Sequence, residues 1–351
     1  MQHLIESFTE TLREAGRCGT PLSIRGGNSK AFYGRTIEGV EFRVGDYTGV
    51  IEYTPTELVV SARAGTPLTV LEAVLAEENQ MLAFEPPHFA PGATLGGTVA
   101  CGLSGPRRPY AGAVRDHVLG ITCLNGAGQR LRFGGSVMKN VAGYDISRTL
   151  TGSLGTLAVL LDITLKVLPR PETELTLRRE TTTEEAITLF NRWAGLPVPL
   201  SAGCYHDGTL TVRLSGFEQG VKAAADKLGG DELPDAGTFW QDLREQRLAF
   251  FDDPRPLWRL SVAPATPPLP LEGDCLIDWG GAQRWVKTGL PALALHQGAA
   301  DGGGHATLFR NGDGNEVFHP LPAPLLALHR RLKQSFDPAV ILNPGRMYPE
   351  L

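Results

Sequence analysis

No two cysteines in this chain form a C-x-x-C arrangement. The five, Cys18, Cys101, Cys123, Cys204 and Cys275, are odd in number and far apart. Neither an iron–sulfur cluster nor a structural zinc is therefore expected from this chain alone, and the five read as free, mostly buried thiols. A long apolar run is also missing. The most apolar stretch, 150–168, is interrupted by Asp162 and Lys166, whereas a spanning helix needs about 20 apolar residues. Excess positive charge is absent: 33 Lys and Arg against 38 Asp and Glu leave a formal −5, which argues against a general nucleic-acid surface. Met1–Glu6 has neither a basic region nor a cleavage signature, so the expected compartment is the cytoplasm. There is no G-x-x-x-x-G-K-[ST], and no G-x-G-x-x-G between a strand and a helix, which weakens P-loop and dinucleotide-fold readings.

Glycine is what the chain has in excess: 42 of 351 residues, against a usual ~7%. No collagen period accompanies it, so the surplus belongs to loops and tight turns. With 42% apolar and 20% charged residues the chain reads as an ordinary globular protein. Its length fits two domains.

Local patterns place the elements. Residues 3–16 read as a helix ending at Gly16, and Leu22-Ser23-Ile24 as a strand running into Arg25-Gly26-Gly27-Asn28-Ser29-Lys30. Strands follow at 50–53 and 58–62. Thr66 and Pro67 read as N-cap and first-turn proline of a helix with Leu68, Leu71 and Leu75 in one stripe. Residues 86–112 show no period of 2 or 3.6 and read as one long loop, a length usually kept for function. Asn125-Gly126 reads as a hairpin turn between 118–124 and 129–133, and 156–167 as a long strand or strand pair. Beyond Pro171 come a strand at 174–179, a helix from about Thr183 to Gly195 and a hairpin at Asp207-Gly208. The next helix carries Phe217, Val221, Ala224 and Leu228 on one face. With further strands at 258–262, 275–279 and 305–309, this β-α-β-β-α-β order predicts a ferredoxin-like α+β layer. The proline-rich 264–273 reads as an exposed connector. A last helix carries Leu325, Leu328, Leu332 and Phe336. No internal repeat is visible.

Three loops have the physics of a phosphate-bearing cofactor site. In Arg25-Gly26-Gly27-Asn28-Ser29-Lys30 the paired glycines expose consecutive N–H groups as an anion nest, and Arg25 and Lys30 add positive charge. In Pro91-Gly92-Ala93-Thr94-Leu95-Gly96-Gly97, continuing through Ala100, Gly102, Ser104 and Gly105, small residues let the backbone approach a ligand, and Thr94 and Ser104 can donate to it. The third comprises Lys139-Asn140-Val141-Ala142-Gly143-Tyr144-Asp145 and Gly152-Ser153-Leu154-Gly155-Thr156. The bland alternative for each is a tight turn.

Together these loops resemble the vanillyl-alcohol oxidase superfamily of FAD-binding proteins. Arg25–Ser29 is similar to that family's first pyrophosphate loop and Thr94–Gly97 to its second. Gly152–Gly155 with the strand through Ile163 resembles its adenine side, and Asn343-Pro344-Gly345-Arg346 its tail. The set of 139–145, Gly304–Arg310 and the tail resembles, more narrowly, the FAD-binding subunits of bacterial glycolate oxidases.

The resemblance implies a PCMH-type FAD-binding domain of two α/β subdomains over 1–170, an inserted α+β domain over 171–320, and a segment, 321–351, returning to the FAD domain. It implies FAD across 25–30, 91–105 and 152–163, with the diphosphate on the amides of Gly26, Gly27 and Asn28 and Thr94, Gly96 and Gly97 opposite. Ile163 would meet the adenine through its backbone, and Arg115 and Asp116 would line the flavin. The implied partners are a second FAD-containing glycolate oxidase subunit and an iron–sulfur subunit, acting on glycolate or a similar 2-hydroxy acid, at the inner face of the membrane through those partners.

Two departures from the family pattern matter. Covalent-flavin relatives carry His just before the Ser of the first loop; here Asn28 stands there, so noncovalent FAD is expected, with His88 the nearest other anchor. Related hydroxy-acid dehydrogenase subunits carry H-x-G-D-G-N-x-H. Here Asn311-Gly312-Asp313-Gly314-Asn315 resembles the middle, but Arg310 and Val317 replace the histidines. This segment reads as a turn, and no metal site is expected. Oxidising a hydroxy acid also needs a base and a cation for the carboxylate. His305 and Arg107, Arg108 or Arg346 could supply them, although a core histidine and solvated charges are the plainer reading. A self-sufficient FAD dehydrogenase and a structural subunit without working flavin stay open as alternatives.

Overall fold

The computed structural model describes residues 1–135 and 145–351. The 139–144 part of the third loop lies outside the described residues. In chain order the elements are α1 (Gln2–Cys18), β1 (Leu22–Arg25), β2 (Val40–Arg43), β3 (Val50–Thr54), β4 (Val59–Arg63), α2 (Leu68–Glu77), β5 (Gln80–Met81), α3 (Leu95–Cys101), α4 (Arg108–Ala111), α5 (Val114–His117), β6 (Val118–Leu124), β7 (Arg130–Gly134), α6 (Ile146–Leu150), β8 (Val159–Lys166) and β9 (Leu168–Pro169). Then come β10 (Thr173–Glu180), α7 (Thr183–Ala194), β11 (Leu200–His206), β12 (Thr209–Gly216), α8 (Glu218–Leu228), β13 (Asp231–Glu232), α9 (Ala236–Glu245), β14 (Leu257–Ser261), β15 (Asp274–Asp278), β16 (Gln283–Lys287), α10 (Ala292–Asp301), β17 (His305–Arg310) and α11 (Ala323–Phe336). They pack as two compact units. The first comprises Met1–Leu103, Ala113–Pro169 and Leu321–Leu351, and the second Ser104–Gly112 and Arg170–Pro320.

The first unit is built on an antiparallel sheet in the order β3-β4-β8-β6-β7. Its central strand, β8, reads Val-Leu-Leu-Asp-Ile-Thr-Leu-Lys, and the alternation leaves Ile163 and Leu165 fully buried. Beside it, β1 and β2 pair in parallel, and Leu22 also bridges Leu342 of the C-terminal tail. Helix α1 buries Ile5, Phe8, Leu12 and Ala15, a spacing of three and four that lays one stripe on this core. It runs past Gly16 and is capped instead by Gly19 at φ 64, where an L side chain would strain.

The second unit is an eight-stranded antiparallel sheet, β13-β10-β12-β11-β15-β16-β14-β17. The segment β10-α7-β11-β12-α8-β13 has the strand order 4-1-3-2 of the ferredoxin-like layer expected from the sequence. The strands β14, β15, β16 and β17 repeat that order, and the halves join at the Tyr205–Ile277 pair. An internal structural repeat therefore exists without a sequence period. A proline-rich connector occupies the place of the first helix in the second half.

Several local expectations are corrected. Pro67, not Thr66, is the N-cap of α2, because Thr66 Oγ1 is engaged with the Gly49 backbone. Residues 86–112 are not a continuous loop: they contain α3 and α4. The hairpin expected at Asn125-Gly126 is present, its loop extending over 125–129 and closed by Asn125 Oδ1 accepting from Ala127 N and Gln129 N. Phe217 caps α8 and is 81% exposed, off the buried face of Val221, Ala224 and Leu228. In α11 only the C-terminal half of the stripe packs; Leu325 and Leu328 are exposed. Strand β16 escaped prediction because all five of its residues are buried, which removes the alternation that marks a half-exposed strand. Of the five thiols only Cys123 and Cys204 are fully buried; Cys18 and Cys275 are exposed.

Against the second half of this sheet, His296 on α10 packs its ring 5.1 Å from His319 and 5.5 Å from Trp258, and its Nε2 is buried without a hydrogen-bond partner among the described residues. Burial first, then the neighbouring His319, lowers the His296 pKa below its ordinary value, while Glu316 opposes the shift. A histidine with a depressed folded pKa contributes stability that is present above its unfolded pKa, ~6.5, and lost as pH falls below that. The melting temperature should therefore drop between pH 7.5 and pH 5.5, and the drop should shrink in His296→Phe. An unchanged pH slope in that variant would show that other groups carry the effect.

Candidate functional site

A cleft in the first unit spans about 1080 Å³ of empty space, part of it open solvent. Three segments wall it: the loop after β1, the start and end of α3, and the loop before β8, with the tail at 343–346 closing one side.

The loop after β1 has the geometry an anion would need. The amides of Gly26, Gly27, Asn28 and Ser29 have no protein acceptor among the described residues. Asn28 sits at φ 57, the alternation of hand that turns successive N–H groups inward as a nest. Asn28 Oδ1 accepts from Arg25 Nη1 at 2.8 Å, which fixes the turn from within. Arg25, Lys30 and Arg346 bring three cationic side chains to the cavity, and no carboxylate lines it among the described residues. Lys30 is only 6% exposed; its Nζ reaches Ser29 Oγ at 3.4 Å and lies over the Phe89 ring.

The second glycine loop contributes shape rather than amides. Leu95 N donates to Thr66 O, Gly96 N to Ala64 O, and Gly97 N to Thr94 Oγ1, so the first-turn donors of α3 are already used. What the glycines allow is proximity. A Cβ at Gly27 would stand 1.4 Å from Gly92 O, and one at Gly96 2.7 Å from Ala64 Cβ. Cys101, at the end of α3, also lines the cavity; burial pushes its thiol pKa up, and Lys30 and Arg346 pull the other way.

Of the sequence-predicted residues, Arg25, Gly26, Gly27, Asn28, Ser29, Lys30, Thr94, Gly96, Gly97, Ala100, Gly155 and Arg346 line this cavity. The others do not. Pro91 and Gly92 back the first loop from outside, with Gly92 O against Gly27. Leu95 is core. Gly102 packs on Gly152, and the Ser153 and Thr156 hydroxyls bond to Leu150 O and Ser153 O. Ser104 and Gly105 belong to the second unit, where Gly105 O accepts from Trp279 Nε1. Arg115 is exposed, and Asp116 accepts from Ala113 N at the start of α5. Ile163 is paired on both sides, with Ala62 and Ile121, so the sheet occupies its main chain.

Asn343 was missed as a site residue, although the tail motif containing it stood out. Its Oδ1 accepts from Ile24 N at 2.8 Å and its Nδ2 donates to Leu154 O at 2.7 Å, tying two cavity walls together. Ile24, Val44, Ala64, Ala158 and Leu160, also missed, form the apolar lining; nothing in their spacing separates them from ordinary core. The candidate cations in the second unit, Arg107 and Arg108, are otherwise engaged, whereas His305 lies exposed at the start of β17. Arg107 pairs with Glu174, Arg108 stacks on Trp279 at 4.3 Å, and Asn311–Asn315 forms a turn closed by Asp313. His88 lies 3.2 Å from Glu72 and outside the cavity lining.

Unpaired amides, three cations and small-residue walls fit a dinucleotide carrying a diphosphate. Comparison with known proteins gives the same class: residues 4–134 match the FAD binding domain family. The glycolate oxidase subunit GlcE of Escherichia coli is 52% identical over 346 residues, 99% of this chain and 98% of that protein. The glycolate oxidase subunit GlcD of Bacillus subtilis is 33% identical over 129 residues, 36% of this chain and 27% of its own length. A solved alkyldihydroxyacetonephosphate synthase superposes with a TM-score of 0.68 at 15% identity, covering 97% of this chain and 75% of that one, which shows the shared fold. The protein is thus an FAD-binding protein of the PCMH-type oxidoreductase fold. It belongs to the family of the glycolate oxidase subunit GlcE, with FAD as its cofactor. No helix among the described residues is long and apolar enough to cross a membrane.

Proposed function

We propose that this chain is the FAD-binding subunit of a multi-subunit oxidase that converts glycolate to glyoxylate, and that its flavin passes electrons to or from partner subunits. The observation that carries the reading is the nest of four unpaired amides among Arg25, Lys30 and Arg346. When bound, FAD supplies a two-electron acceptor. The chain's own residues hold it. The amides of Gly26, Gly27, Asn28 and Ser29 receive the diphosphate, Arg25 and Lys30 balance its charge, and Thr94, Gly96, Gly97, Ala100 and Gly155 form close walls. No histidine lines the cavity among the described residues, which supports noncovalent attachment.

The committed state of Arg107 and Arg108 favours substrate oxidation elsewhere, on a second FAD-containing subunit, with an iron–sulfur subunit as the further partner. Association with the inner face of the membrane would then come through those partners. The test is an anaerobic absorbance spectrum of the purified chain, before and after glycolate and again with partner subunits added. The relay reading expects a flavin band that persists with glycolate alone and bleaches once partners are present. A band bleached by glycolate in the isolated chain would overturn the relay and make this a self-sufficient dehydrogenase.

A further inference from the structure

The free-amide loop is suspended between two points, and the C-terminal tail holds both. On its N-terminal side Asn343 Oδ1 accepts from Ile24 N, and Asn343 N donates to Leu22 O. On its C-terminal side Arg346 donates to three carbonyls: Ala31 O at 2.8 Å, Tyr33 O at 2.6 Å and Arg35 O at 3.0 Å. Arg35 N returns a bond to Arg346 O at 2.9 Å. The fork needs room that only glycine leaves: Gly34 is at φ 96, and a Cβ there would stand 3.0 Å from Arg346 Nε. Arg346 has no carboxylate within ion-pair distance among the described residues. It lines the cavity beside Arg25, whose like charge opposes it.

We infer that the tail is a clasp that preorganises the diphosphate nest, with Arg346 as its positioning residue, and that tail docking and FAD binding are thermodynamically linked. The inference rests on the reading of this cavity as the FAD site. Its logic is geometric and electrostatic. Four amides converge only if both ends of their loop are held, and the holder is a guanidinium whose uncompensated charge favours the arrival of an anion. Binding at the nest then stabilises the docked tail, and by reciprocity the docked tail strengthens binding by the same factor.

The fork also separates position from charge. Lysine keeps the charge but cannot donate along three directions from one plane. If Arg346 acts as a clasp, R346K and R346Q should both weaken FAD binding by roughly tenfold to a hundredfold, read by fluorescence titration of deflavinated full-length chain. FAD should also slow hydrogen exchange at the wild-type tail amides of Asn343, Gly345 and Arg346. This second measurement needs no variant and so stands if a substitution fails to fold. Wild-type affinity in R346K would reduce the residue to a charge and overturn the clasp, as would tail exchange unchanged by FAD. A wild-type chain that takes up no FAD would instead sink the underlying cofactor reading, so the two failures are distinguishable.

Discussion

Gly27→Ala is expected to yield a chain that no longer retains FAD, whereas Gly26→Ala should retain most of it. The two positions are adjacent and chemically alike, and what separates them is what faces them. A Cβ at Gly26 would meet Thr94 Oγ1 at 2.6 Å, a side-chain hydroxyl that can turn away at the cost of its 3.2 Å bond from Gly97 N. A Cβ at Gly27 would meet the Gly92 carbonyl oxygen at 1.4 Å and its carbon at 2.5 Å, and backbone cannot rotate away. The loops must separate, at a cost at or above the ~1–3 kcal/mol typical of overpacking. That movement pulls the nest amides out of convergence, so FAD affinity should fall by about a hundredfold or more. The measurement is the visible flavin band per protein after gel filtration, with far-UV circular dichroism as the folding control. Stoichiometric flavin in Gly27→Ala would show that the close approach of the two loops is not kept in solution.

The second large effect concerns a buried ion pair far from the nest in sequence. Lys333 is 4% exposed and Asp337 is fully buried. The ammonium lies 2.9 Å from Asp337 Oδ2 and donates to Thr156 O and Leu342 O, each at 2.8 Å. Asp337 in turn accepts from Ile341 N and Leu342 N. The pair thus joins α11, the loop before β8 and the start of the tail. Lys333→Met would leave a carboxylate buried without its counter-charge and two carbonyls unpaired. Breaking such a pair on one side costs ~3–5 kcal/mol, which for a unit of this size corresponds to about 6–20 °C in melting temperature. Calorimetry should show the loss in one transition, that of the first unit, because the second unit contains neither residue. Lys333→Met with Asp337→Asn should recover part of it, since the orphaned charge is gone. Equal melting of single and double variants would mean that the lost packing, not the charge, dominates.

These two cases mark what was readable beforehand. The open-amide turn after β1 was legible because its chemistry is local. Two glycines and an asparagine in a row after a strand permit the turn of hand that makes a nest, and arginine and lysine beside them declare the charge. The hairpins at Asn125 and Asp207 and the Leu68, Leu71 and Leu75 stripe of α2 were legible for the same reason: each rests on neighbours within one or two turns. The partners of those residues were not legible. Gly92 faces Gly27 across 65 residues of chain, and nothing in either glycine names the other. Asn343 bonds to Ile24 across 319 residues and Lys333 to Thr156 across 177. For Ser104, Gly105 and Ile163, a glycine-rich run or a strand says nothing of which unit or which part of a sheet they join. The tertiary structure gives the first two to another unit and the third to the middle of a sheet.

The sequence by itself determined the glycine-rich turn after β1, the secondary-structure pattern of most strands and helices, and, through its resemblance, the FAD-binding class. All of these depend on residue types at short spacing. Only the tertiary structure decided which glycine must stay a glycine, that the amides of α3 are spent while those of residues 26–29 are open, and that the tail holds the nest from both sides. Those properties depend on which backbone groups meet across long stretches of chain, and a hydrogen bond between distant residues leaves no trace in the spacing of either.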